Sequence, residues 1–126
     1  MTDNATMTIS ELAKAIITLA SEKNVMLVLA ESCTGGMIAA ALTDIAGSSA
    51  VLDRGLVTYS NQAKQDLLGV SDNILASYGA VSAETAIAMT TGALLKTPAA
   101  QLAASVTGIA GPGGGSQDKP VGLVHF

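Results

Sequence analysis

Two hydrophobic rhythms alternate along this chain. Ile9, Leu12, Ala13, Ile16 and Ala20 recur at helical spacing. Thr8-Ile9-Ser10-Glu11 in front of them is a capping-box pattern. Together they predict a helix over about 8–22, stopped near Asn24. From Val25 to Ala30 the polar positions vanish. An unbroken apolar run of this length reads as a strand buried on both faces, as a parallel sheet requires. An Ala-rich amphipathic stretch then predicts a helix from about Gly36 to Ile45, ended at Ala46-Gly47.

The alternation continues. Val51–Tyr59 reads as a second strand, with Asp53-Arg54 marking a bend or an edge. Asn61 is expected to cap a short helix that carries Lys64, Leu67 and Leu68 and ends at Gly69. Ser71 starts another short helix to about Ser77. Ser82 caps a longer one to about Leu95, with Ala83, Ala86, Ile87, Thr90 and Leu94 inward and Thr97-Pro98 as the stop. Gln101–Val106 reads as a third strand, and Lys119–Phe126 opens a fourth. Strands separated by helices predict the α/β class with a largely parallel sheet.

Each main strand ends in a polar elbow: Glu31-Ser32-Cys33-Thr34-Gly35-Gly36, then Tyr59-Ser60-Asn61-Gln62-Ala63-Lys64, then Thr107-Gly108. In a parallel sheet the carboxyl ends share one edge, so the elbows converge on one site. Ser and Thr before a helix commonly do no more than cap it. Here a carboxylate, a hydroxyl, a thiol and a second hydroxyl stand consecutively. Serine is a weak nucleophile until a base activates it, and a lysine serves as that base only when its amine is neutral. Ser32 with Lys64 is therefore the expected catalytic pair, with Tyr59 and Thr107 orienting the bond. Backbone N–H groups at the start of the helix after Gly36, at Gly35-Gly36, or at Gly108 are expected to hold an anion or an oxyanion. This constellation suits hydrolysis of an amide or ester and needs neither metal nor cofactor. Gly108 to Gly115 is expected to be a mobile lid. It has neither the spacing of a P-loop nor that of a dinucleotide-binding turn.

Composition narrows the picture. The chain has 126 residues, 49% of them apolar and 13% charged, enough for one core and suggestive of substantial burial or an oligomer interface. No apolar run approaches the roughly 20 residues of a membrane span. Met1-Thr2-Asp3-Asn4 lacks the basic start of a secretory signal, and the lone Cys33 fits a reducing cytoplasm. With net charge −4 and only three aromatics (Tyr59, Tyr78 and Phe126), the chain offers no groove for nucleic acid. One histidine, His125, and one thiol provide no metal-ligand spacing.

Four segments carry a resemblance. Ala30–Gly36, Tyr59–Lys64, Gly79–Ser82, and Thr107–Gly114 followed by Lys119-Pro120-Val121-Gly122 resemble the CinA C-terminal domain family, over roughly residue 8 to the end. That family includes nicotinamide-nucleotide amidohydrolases, which convert nicotinamide mononucleotide to nicotinate mononucleotide and ammonia. The resemblance implies a three-layer α/β/α sandwich, assembled as a dimer or larger, acting on a small mononucleotide in the cytoplasm without a cofactor. It implies Ser32 as nucleophile, Lys64 as its basic partner, and Tyr59 and Thr107 in support. Glu31, Cys33, Thr34, Gly35, Gly36, Asn61, Gly108, Gly111, Gly113 and Gly114 would line the substrate pocket. Members of the family continue past this point, so residues 1–126 are expected to be a single domain cut short at its C-terminus. The missing part would carry arginines suited to the substrate phosphate, and Arg54, the only arginine here, is not assigned that role.

Two rival readings stand beside this one. Cys33 with Glu31 and Lys64 would form a Cys-Glu-Lys set of the nitrilase type. Alternatively, the glycine elbows would bind a nucleotide or phosphate without turnover.

Overall fold

The computed structural model describes residues 6–126. The N-terminal reading at Met1–Asn4 lies outside them. The first helix, α1 (Ile9–Glu22), begins with the expected capping box: Thr8 accepts from the Glu11 N–H, and the Glu11 side chain accepts from the Thr8 N–H. Asn24 follows it in a left-handed conformation (φ 53°) and ends the helix.

Strand β1 (Leu27–Glu31) is buried throughout and sits at the centre of the sheet. Strands β2 (Leu52–Val57) and β3 (Leu102–Gly108) flank it, both parallel to it. Strand β4 (Val124–His125) completes the order β2-β1-β3-β4 and runs antiparallel to β3. The expected fourth strand is thus only two residues long. Its approach is taken up by a turn in which the Gly122 N–H reaches the Ile109 carbonyl, and the Leu123 N–H that of Pro120. The register of β1 on β2 skips Asp53, which makes the Asp53-Arg54 pair an edge-strand irregularity.

Helices α1 and α2 (Met37–Thr43) cover one face of the sheet; α3 (Asn61–Leu68), α4 (Asp72–Tyr78) and α5 (Ala83–Lys96) cover the other. Side chains alternate along a strand. Leu27 and Leu29 accordingly join Ile17 and Leu42 in one core, while Val28 and Ala30 join Leu68, Leu75 and Met89 in the other. By the same alternation Glu31 falls on the α1–α2 side and Ser32 on the α3–α5 side.

Helix α3 crosses α5 at close range. A Cβ on Gly92 of α5 would collide with the Leu68 backbone. This contact and the Gly69 turn (φ 68°) set the position of the helix that carries Lys64. Among the described residues no helix is long and apolar enough to cross a membrane.

Candidate active site

The Lys64 side chain leaves the first turn of α3 and is 1% exposed, the bulkiest of the fully buried side chains. Its Nζ lies 2.9 Å from Ser32 Oγ, 2.8 Å from the Thr58 carbonyl and 3.3 Å from the Tyr59 carbonyl. Burial pushes the amine below the ordinary lysine value of 10.5, opposed by the negative charge Cys33 can carry. A neutral amine has two N–H bonds and one lone pair. The two carbonyls accept from N–H, and the remaining direction faces the Ser32 hydroxyl. The arrangement fits a lysine that takes a proton from a serine.

Tyr59 contributes through its backbone. The residue is 67% exposed, and the expected role for the ring is replaced by its carbonyl. Thr107 is buried, but its hydroxyl donates to the Ala80 carbonyl at 2.7 Å, tying β3 to the connector between α4 and α5. It stands beside the pair as a brace: the next carbonyl back, that of Val106, accepts from the Ser32 N–H at 2.9 Å.

Glu31 turns the other way. Its carboxylate accepts from the Thr34 hydroxyl at 2.6 Å, the Ile38 N–H at 3.0 Å and the Ala39 N–H at 2.9 Å. This corrects two expectations. The Ile38 and Ala39 N–H groups at the start of α2 are occupied by Glu31, and that of Met37 by the Thr34 carbonyl, so they are closed to a ligand. The Gly35 N–H is also spent, on the Ser32 carbonyl. Among the described residues no acceptor faces the N–H of Cys33, of Thr34 or of Gly36, so the expectation at Gly36 is not overturned. Gly35 (φ 58°) and Gly36 (φ 103°) are instead required by the left-handed turn that carries the chain from Ser32 into α2.

The thiol of Cys33 points toward β3, where a Cβ on Gly108 would come within 3.0 Å of Sγ. Cys33 is near enough for its charge to act on Lys64, but Glu31 is held by Thr34, Ile38 and Ala39 and does not join them as a Cys-Glu-Lys set requires. Asn61 is the exposed first residue of α3. The cap is Ser60, which accepts from the Ala63 N–H, because the chain is still extended at Ser60 (φ −92°, ψ 161°) and has become helical by Asn61.

The glycine-rich segment is stitched at both ends. The Ile109 N–H donates to the Leu123 carbonyl, and the Ser116 N–H to that of Lys119. Lys119 Nζ donates to the Tyr78 carbonyl at 2.6 Å. Gly111 (φ 78°) packs so closely on Val121 that a side chain would not fit, while nothing lies near Gly113 or Gly114. Sequence reasoning missed the Thr58 and Ala80 carbonyls, since a main-chain acceptor leaves no mark on residue type.

Residues 9–126 match the family model of the CinA C-terminal domain, and the chain belongs to that family. It is 62% identical over 97 residues to a protein of Enterobacter agglomerans named nicotinamide-nucleotide amidohydrolase PncC, covering 77% of this chain and 58% of that one. It is 48% identical over 126 residues to the protein of the same name from Escherichia coli K12, covering 100% of this chain and 74% of that one. Other relatives, 53% and 58% identical, are much longer, and the chain spans only 28% and 27% of their lengths. The crystal structure of competence/damage inducible protein CihA from Agrobacterium tumefaciens superposes with a TM-score of 0.87 at 58% identity, over 92% of this chain and 70% of that one.

Proposed function

We propose that this chain forms a single catalytic domain that hydrolyses the carboxamide of nicotinamide mononucleotide, releasing nicotinate mononucleotide and ammonia. The observation that carries the reading is the 2.9 Å contact between a buried Lys64 amine and Ser32 Oγ, with the two other amine directions held by carbonyls. The relatives' names supply the substrate.

In this reading Lys64 takes the Ser32 proton as Oγ attacks the carboxamide carbon. The oxyanion is met by the Cys33 and Thr34 N–H groups. Lys64 returns the proton to the departing nitrogen, ammonia leaves, and an ester on Ser32 remains. Water then attacks that ester with Lys64 again as base, which restores Ser32 and frees the carboxylate. Glu31 takes no part in proton transfer, and the Cys33 thiol is not the attacking group. The cytoplasm is the expected setting, and association into dimers or larger fits the apolar composition.

The test is ammonia release from nicotinamide mononucleotide by the full chain and by Ser32→Ala. Release by the chain and none above background by the variant supports the reading. Turnover that survives Ser32→Ala overturns the nucleophile. Saturable binding of the mononucleotide without any ammonia favours the non-catalytic binding module.

A further inference from the structure

Glu31 is a buried carboxylate for which the chemistry above has no use. It is 1% exposed and lies next in sequence to the proposed nucleophile, on the opposite side of the strand. Burying a carboxylate costs several kcal/mol unless its oxygens are fully hydrogen-bonded. Here they are: Oε1 accepts from Thr34 Oγ1 and the Ile38 N–H, and Oε2 from the Ala39 N–H. All three partners are donors, so only an acceptor on both oxygens satisfies them. Two lie in the first turn of α2 and the third in the turn between Ser32 and α2.

The segment this carboxylate spans needs holding. Gly35 and Gly36 both adopt left-handed conformations, and a Cβ on Gly35 would find nothing within 4 Å. Two consecutive glycines, of which only Gly36 has a neighbour (Val57 Cγ2, 3.4 Å from where its Cβ would stand), leave a turn with many accessible conformations. The main chain supplies only the Gly35 N–H to Ser32 carbonyl and Met37 N–H to Thr34 carbonyl bonds inside it. Helix α2 has seven residues, too short to be stable by itself, and its capping residue Gly36 makes no side-chain cap.

We propose that Glu31 is a positioning residue: its carboxylate fastens Thr34 and the start of α2 and so holds the Ser32–Gly36 turn in the shape that presents Ser32 Oγ to Lys64 and leaves the Cys33 and Thr34 N–H groups free for the oxyanion. The catalytic part of this role rests on the function proposed above; the fastening does not.

Glu31→Gln keeps the shape and volume of the side chain and replaces one acceptor oxygen with a donor NH2. One helix N–H or the Thr34 hydroxyl then faces another donor. A reacting group misplaced by about 1 Å costs roughly 10²-fold in rate. The expected result is a kcat for ammonia release lower by about that factor, with KM within about threefold, since substrate contacts are untouched. Thr34→Val removes one of the three donors and is expected to give a smaller loss, of which Thr34→Ser recovers most. Amide hydrogen exchange of Glu31→Gln is expected to quicken at residues 33–39 and to stay unchanged at Leu27–Ala30.

A kcat within about twofold of wild type overturns the positioning role. Faster exchange throughout β1 as well overturns it too, because the effect is then general destabilisation. If the wild-type chain releases no ammonia, the function proposed above falls instead, and exchange decides on Glu31 alone. Acceleration confined to residues 33–39 then supports the fastening, and unchanged exchange overturns it.

Discussion

Lys64 and Ser32 stand 32 positions apart in the chain and 2.9 Å apart in space, and among the described residues the lysine has no carboxylate partner. A buried lysine is usually paired. This one is surrounded by two carbonyls and a hydroxyl, which stabilise a neutral amine better than an apolar wall would and a charged one less well than water does.

The first prediction concerns the unit formed by the pair. Ser32→Ala and Lys64→Met are each expected to lower kcat by several orders of magnitude. The double variant should be scarcely worse than either single one, because a nucleophile and its base fail together. Cys33→Ala should keep most of the activity. Steady-state ammonia release on the four proteins decides this; a dead Cys33→Ala beside an active Ser32→Ala would move the nucleophile to the thiol.

The second concerns pH. In the proposed mechanism the reactive form carries a neutral Lys64, whose folded pKa lies below 10.5. The kcat/KM profile is expected to rise with pH through that lowered value, on a limb that Lys64→Met abolishes. Stability follows the same sign. Between the folded value and 10.5 the unfolded chain binds a proton that the folded chain does not, so stability rises with pH across that window. Below the folded pKa this contribution is at its minimum. Denaturant titrations of wild type and Lys64→Met at a series of pH values should show the slope only in the wild type.

A third prediction places a fold residue under the site. Gly92→Ala sets a methyl group against the Leu68 backbone and must push α3 away from α5. The expected cost is about 2 kcal/mol or more. Since α3 carries Lys64, activity should fall further than stability alone explains. Thermal melting together with kcat measured well below the transition separates the two effects. Activity that follows only the folded fraction would show that α3 moves without disturbing Lys64.

The glycine-rich segment yields the fourth. Gly113 and Gly114 have no near neighbours, whereas Ile109 before them and Ser116 after them are tied by main-chain bonds. Fast amide exchange is expected at Gly113–Gly115 and protection at Ile109 and Gly122. Lys119→Met, which removes the bond to the Tyr78 carbonyl, should quicken exchange at Ser116 and raise KM more than it lowers kcat. Uniform protection across the segment would rule out a lid.

Much of this protein was legible in residue order because the signals are local. The capping box at Thr8–Glu11, the caps at Ser71 and Ser82 and the apolar run into Glu31 depend on neighbours a few positions away, and each appears where the pattern places it. The elbows at Ser32, Lys64 and Thr107 could be listed for the same reason, and parallel pairing of β2, β1 and β3 brings them to one edge. Which way each side chain turns was not legible. The strand before Ser32 is apolar on both faces, so alternation alone leaves open whether Glu31 or Ser32 meets Lys64. Packing of α1 and α2 on one face and α3 to α5 on the other decided it. Tertiary structure likewise sent the Thr107 hydroxyl to Ala80 and gave the lysine the carbonyls of Thr58 and Tyr59. Those choices depend on contacts between segments far apart in the chain, and on main-chain atoms that every residue shares.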